Sequence, residues 1–219
     1  NTPQGVGTYP FRHAFTYSVN AIFAQVGVSL GWGNLAEQAA ALGIGKEVPF
    51  SLATAPGQLH APGSELDRVL LASTAFGQGE LLVTPLHLAL ITTAIANGGE
   101  MPAPRLALAE VSGDRIVREL DPASSRTVLS AGVAADMQDF MRSVIAAGQA
   151  SGLSIPGVQV AGKTGTAEAG DGTSHAWFIG YAPAEAPRVA IAVVVERAGQ
   201  GGVIAAPIAG EVFRAVLAQ

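Results

Sequence analysis

The chain has 219 residues, 49% hydrophobic and 13% charged, which is length and apolar content for one domain with its own core and argues against a disordered chain. Its net charge of −5, with the basic residues scattered as ten arginines plus Lys46 and Lys163, leaves no cationic stripe to follow a phosphate backbone and excludes nucleic-acid binding. The absence of cysteine rules out disulfides, thiolate metal sites and a cysteine nucleophile, and the lack of an apolar run of eighteen residues or a basic, apolar leader predicts neither a membrane span nor an export signal here.

Phe11, Phe15, Ile22, Phe23 and Val26 recur at helical intervals that break near Ser18-Val19-Asn20, predicting two short helices meeting at an elbow. Asn34 followed by Glu37 forms a capping box ahead of LAEQAAAL, which Gly43 ends. Residues 49–63 carry three prolines and no period, so they are expected to form a long loop. A helix follows over about 67–76, then the GQG turn at 77–79, then a helix opened by Thr84-Pro85 and closed by Asn97-Gly98-Gly99.

Partial alternation around Ser112-Gly113-Asp114 predicts a hairpin. Ser130 is expected to cap a helix whose apolar face is Val133, Met137, Phe140, Met141, Val144 and Ile145. VQVAGKTGTA, HAWFIGYA and RVAIAVVVE are strand candidates with connections short enough for antiparallel neighbours. A last helix over about 206–217 places Ile208, Val212, Phe213 and Val216 on one side. Helices, then strands, then a closing helix give an α+β fold, an antiparallel sheet flanked by helices.

Chemistry concentrates in the stretch AGKTGTA. In a strand, Lys163 and Gly165 share a face, and the missing side chain at Gly165 lets a ligand approach the backbone closely. A lysine is a compact cation for a carboxylate, and desolvation lowers its pKa toward the range where it passes protons near neutral pH. Thr164 and Thr166 add hydroxyls, and a free strand edge adds N–H groups for an extended peptide or an oxyanion. The plain alternative is a solvated lysine in an ordinary strand. Ser18 and Asn20 are equally well explained as helix caps. His13, His60, His87 and His175 lack ligand-like spacing, and GQGG at 199–202 lacks the setting of a phosphate loop, so no metal, cofactor or nucleotide is expected. Trp177, Phe178 and Tyr181 are taken as packing residues, and His175 as a structural residue near a sheet end.

SVN at 18–20, GQGELLVTPLHLA at 77–89, ANGG at 96–99, and KTGTA at 163–167 followed by HAWFIGYAP at 175–183 together resemble, in order and over nearly the whole chain, the transpeptidase domain of class B penicillin-binding proteins. The resemblance implies a cleft between a helical lobe over about 11–100 and a sheet lobe over about 155–219, where three motifs meet: SxxK, SxN and KTG. Carried over to this sequence, Ser18 and Lys163 become a proton-relay pair, and Asn20 binds the acyl-side amide of the substrate. Thr164 and Thr166 bind its carboxylate, the Thr166 N–H supplies half of an oxyanion hole, and Gln78 lies near the cleft. The implied ligands are peptidoglycan stem peptides ending in D-Ala-D-Ala and β-lactams. The implied place of work is the outer face of the bacterial cytoplasmic membrane, with the anchor outside this chain.

One motif departs from the pattern. No serine has a lysine three places on, because the residues three before Lys46 and Lys163 are Gly43 and Val160. The resemblance places SxxK upstream of SxN, with the first helix and strands of the sheet lobe. Residues 1–219 are therefore expected to be a single partial domain truncated at its N-terminus. A missing N-terminal segment or second chain is an expected partner, and the RVAIAVVVE edge is expected to stand unpaired. Without a nucleophile beside its base, the chain alone is not expected to be acylated. The other readings are a noncatalytic module that binds muropeptide or protein through the KTGT strand, and a β-lactamase or β-lactam sensor, against which the GQG and WFIGYAP blocks argue.

Overall fold

The computed structural model describes residues 8–120 and 124–218. Helix α1 (Phe11–Thr16) ends at Tyr17, Ser18 turns the chain with a φ of +55°, and helix α2 (Asn20–Ala41) starts two residues later. The break expected at Asn34 lies instead at Gly31, whose φ of 77° and ψ of 163° belong to a region open essentially to glycine alone. Asn34 does not cap: its amide donates back to the Leu30 carbonyl at 2.8 Å.

Helix α3 (Arg68–Ala75) packs on α2 and is capped by Asp67, whose carboxylate accepts from the Leu70 N–H at 2.7 Å. The irregular segment before it is tied down from the far side of the GQG turn. The Gln58 and Leu82 backbones pair, and the Glu80 carboxylate accepts from the Ser64 hydroxyl at 2.5 Å and the Ala61 N–H at 2.9 Å. These donors hold the Glu80 carboxyl below its usual pKa. Helix α4 (Pro85–Ala96) opens as the Thr84-Pro85 pair predicts, with the Thr84 hydroxyl accepting from the His87 N–H.

Strand β1 (Glu100–Pro102), hairpin strands β2 (Ala109–Ser112) and β3 (Arg115–Glu119), and strand β4 (Ser125–Thr127) follow. β2 and β3 form the predicted hairpin, but their alternation marks no core face: Val111, Ile116 and Val117 are all exposed. β1 pairs antiparallel with β4, a ladder the sequence did not announce. Helix α5 (Ala131–Ala147) is capped by Ser130 as expected and buries Met141 and Val144, while Val133 at its start is exposed.

Strands β5 (Ala161–Glu168), β6 (Ser174–Ala182) and β7 (Val189–Val195) form an antiparallel sheet in that order. Successive residues alternate faces. Ala176, Phe178 and Ala182 join one apolar cluster with Phe213 of helix α6 (Ala205–Leu217), and Ala161 and Tyr181 join another with Ile95 of α4 and Met141 of α5. The sheet therefore has helices on both faces. Phe178 fits because Gly162 and Gly180, cross-strand partners, have no side chains there; a Cβ on Gly162 would stand 2.4 Å from the ring.

Helix α6 turns a different side inward from the one its large residues suggest. Ala206, Ala209, Gly210 and Phe213 are buried, whereas Ile208, Val212 and Val216 remain 42%, 39% and 38% exposed. Small residues let the helix sit close to the strands, so packing distance rather than side-chain size selects the face.

Candidate functional site

The elbow between α1 and α2 and the middle of β5 meet across the molecule. The Lys163 ammonium donates to the Ser18 hydroxyl at 3.0 Å and to the Thr164 carbonyl at 2.8 Å, and it lies 5.9 Å from the centre of the Phe15 ring, within the range of a cation–π attraction. Lys163 has no carboxylate partner among these contacts. Desolvation pushes its pKa from 10.5 to about 8, so charged and neutral forms are both within reach near neutral pH. A lysine in that state can take a proton from a hydroxyl and return it.

Ser18 is delivered to this contact by unfavourable backbone geometry. A φ of +55° on a residue with a Cβ is uncommon and costs on the order of 1 kcal/mol. It is held by bonds on both sides, Ser18 N–H to the Phe15 carbonyl at 3.2 Å and Val19 N–H to the Ala14 carbonyl at 2.9 Å.

Register on β5 separates the remaining residues. Lys163 and Gly165 lie on the face toward α4, and Thr164 and Thr166 on the face toward α6. Thr164 is 5% exposed and its hydroxyl donates to the Gln149 side chain at 3.3 Å. Thr166 is exposed, and its hydroxyl accepts from the Gly201 N–H at 3.4 Å. Asn20, the first residue of α2, is exposed, and no side-chain cap bond forms at that helix start.

Gln78 reaches the strand directly. Its Nε2 donates to the Thr166 carbonyl at 3.0 Å, and its Oε1 accepts from the Glu168 N–H at 3.2 Å. His175 is half-buried in β6, and its Nδ1 accepts from the Arg197 N–H at 3.2 Å. Phe15 and Gln149 are neighbours of the site that the sequence did not flag. Phe15 had a signal, its place one helical turn before Ser18; Gln149 had none, since it sits in the turn after α5.

Among the described residues no three His, Asp or Glu side chains gather where they could share a metal ion, and no helix is long and apolar enough to cross a membrane. A cavity of about 360 Å³ opens elsewhere, between the end of α2, α4 and the β1–β4 ladder. It shares no residue with the Ser18–Lys163 contact, so paired chemistry rather than volume locates the site.

A model of the penicillin-binding protein transpeptidase domain matches residues 1–214. The chain is 36% identical to the peptidoglycan D,D-transpeptidase PbpA of Mycobacterium tuberculosis, covering 96% of this chain and 44% of that relative's length. The structure superposes with a TM-score of 0.85 on penicillin-binding protein A of M. tuberculosis in a ceftriaxone acyl-enzyme complex, at 36% identity over 95% of this chain and 49% of the other. It superposes with a TM-score of 0.87 on the D,D-transpeptidase domain of a peptidoglycan glycosyltransferase from Eggerthella lenta, at 30% identity over 98% and 54%. The chain thus spans about half the length of the proteins it matches. With the block order, the α+β fold and the matched family model in agreement, the chain belongs to the transpeptidase-domain family of penicillin-binding proteins.

Proposed function

We propose that this chain supplies the proton-relay and strand-edge parts of a serine D,D-transpeptidase that cross-links peptidoglycan stem peptides ending in D-Ala-D-Ala. The observation that carries this is the 3.0 Å contact between the desolvated Lys163 ammonium and the Ser18 hydroxyl. In acyl transfer a serine oxygen attacks the penultimate D-Ala carbonyl, terminal D-Ala leaves with a proton, and an amine from a second strand later displaces the serine. Ser18 and Lys163 carry the proton toward the leaving nitrogen. The Thr166 N–H faces the developing oxyanion, and Asn20 holds the acyl-side amide. Of the two threonines, Thr166 offers the more accessible hydroxyl to the terminal carboxylate, and Thr164 becomes a second donor when it releases Gln149. The cleft lies between the helical lobe, about 11–100, and the sheet lobe, about 155–219. The work is done on the outer side of the bacterial cytoplasmic membrane.

The attacking serine is not in these residues, since no serine here has a lysine three places on. Ser18 has Lys163 within reach, but that lysine is then committed to the relay. The chain by itself is therefore a binding half-site: it holds β-lactams and D-Ala-D-Ala peptides reversibly and is not acylated.

The test is incubation with a fluorescent penicillin, read by denaturing electrophoresis and by fluorescence anisotropy on the native chain. No covalent band, together with an anisotropy rise that Lys163→Ala abolishes, is the expected result. A covalent band on this polypeptide overturns the half-site reading. Absence of both signals removes the ligand assignment.

A further inference from the structure

The geometry points to Gln78 as a resident stand-in for the substrate: a positioning residue whose side-chain amide occupies the cleft edge of β5 at rest and is displaced by the peptide group of a bound ligand. The inference rests on β5 being the substrate-accepting edge, as proposed above, and it concerns what fills that edge beforehand.

Hydrogen bonding along β5 shows which groups face outward. In an antiparallel pair, alternate residues exchange bonds with the neighbouring strand and the others point away from it. The Thr164 carbonyl is taken by the Lys163 ammonium, and the Thr166 carbonyl and Glu168 N–H by Gln78. The even-numbered residues of β5 therefore turn their backbone groups away from β6. Gln78 makes, with one planar amide, the donor–acceptor pair that a residue of an added strand would make around Ala167. It does so from a turn flanked by Gly77 at φ +85° and Gly79 at φ +69°. The far side of that turn is anchored through Glu80 to Ser64 and Ala61.

Both outward carbonyls in the middle of the edge are thus occupied by donors from the same chain. Between them stands the outward N–H of Thr166, and just before them that of Thr164. At rest this middle stretch of the edge, between Thr164 and Thr166, offers donors without acceptors, which suits a carboxylate or an acyl oxygen and disfavours a neutral strand, whose own N–H groups would find no partner there. A ligand that also carries an amide N–H next to its reacting carbonyl must take the Thr166 carbonyl from Gln78. Gln78 therefore lowers the affinity for ligands with that N–H and is indifferent to ligands without it.

Two peptides test this: an N-acyl tripeptide ending in D-Ala-D-Ala, and the depsipeptide in which the N–H of the penultimate residue is replaced by an ester oxygen. Binding of each to the wild-type chain and to Gln78→Ala is measured by titration of backbone amide resonances, with Glu168 amide exchange recorded without ligand. In Gln78→Ala the amide peptide is expected to bind about three- to tenfold more tightly, the worth of one released hydrogen bond. The depsipeptide is expected to be unchanged, and the Glu168 amide to exchange faster in the free protein. Equal changes for the two peptides, or no change for either, overturn the stand-in role while leaving the substrate edge intact. An unchanged Glu168 exchange rate also overturns it, because the amide is then not held by Gln78. Failure of both peptides to bind either protein removes the substrate edge and the stand-in together. Gln78→Glu separates occupancy from shape: it keeps the acceptor for Glu168 but has no donor for Thr166, so it is expected to match the alanine variant in its preference for the amide peptide.

Discussion

Lys163 shows how one residue's surroundings convert into a measurable dependence on pH. Its folded pKa, about 8, lies below the ordinary 10.5, so burial disfavours the charged form. The unfolded chain therefore binds more protons between these values, and stability rises with pH across that window. The penalty is fully present below about pH 8 and is relieved by about pH 10.5. A shift of this size corresponds to about 3 kcal/mol of stability gained from the lower end of the window to the upper. Urea unfolding of the wild type and of Lys163→Met, compared from pH 7 to 10.5, is expected to show the wild type gaining stability relative to the variant. A constant difference across that range would mean the ammonium is not desolvated. Lys163 was legible in the sequence because lysine is so scarce there, and the separate SVN block at 18–20 supplied the serine. Its burial was not legible, because Phe15, Ser18 and the Thr164 carbonyl enclose it from segments up to 148 residues apart.

At the scale of single elements, local chemistry was readable and distant pairing was not. Asp67, Thr84 and Ser130 cap helices because a short oxygen-bearing side chain can bond an N–H three residues on, and no other part of the molecule is needed for that. The β1–β4 ladder pairs Met101 with Arg126 over only three residues a side, too short for periodicity to show. The Asn34 box matched the capping pattern, yet Gly31 broke the helix first, since backbone freedom outweighs a side-chain bond. The inward face of α6 was misjudged for a related reason: alanine and glycine carry little hydropathy but permit close approach.

Glycines in β5 and α5 give the sheet and helix predictions opposite signs. Gly162→Ala puts a Cβ 2.4 Å from the Phe178 ring and 2.8 Å from the Ile179 carbonyl, and should cost about 2–3 kcal/mol by overpacking. Gly132→Ala on α5 meets nothing within 4 Å and should stabilise by about 0.5 kcal/mol through helix propensity. Chemical denaturation of both variants checks the pair. A neutral Gly162→Ala would show that the ring is not wedged between the strands.

For the whole molecule, β7 is the telling element. Val189, Ile191, Val193 and Val195 pack toward α6 and Ala190 toward the opposite cluster, so the strand is covered on both faces. Among the described residues it pairs with β6 alone. An edge so apolar invites a further strand. Amide exchange on β7 is expected to show alternate residues protected in dilute solution, with the outward amides gaining protection as concentration rises and second copies pair. Outward amides that stay unprotected at every concentration would show that the edge is not sticky.

The link between α1 and α5 also decides how the Ser18–Lys163 spacing is kept. Thr16 bonds Ser143 at 2.6 Å, and the Thr16 carbonyl fits where Gly148 has no side chain. From Gly148 the backbone runs on to β5 and returns to the serine through the lysine, so the frame closes on itself like that of a caliper. Its jaws read 3.0 Å only while the frame is stiff. Looseness at the Thr16–Ser143 joint would show up as a wrong reading at the jaws, far from any part that handles the workpiece.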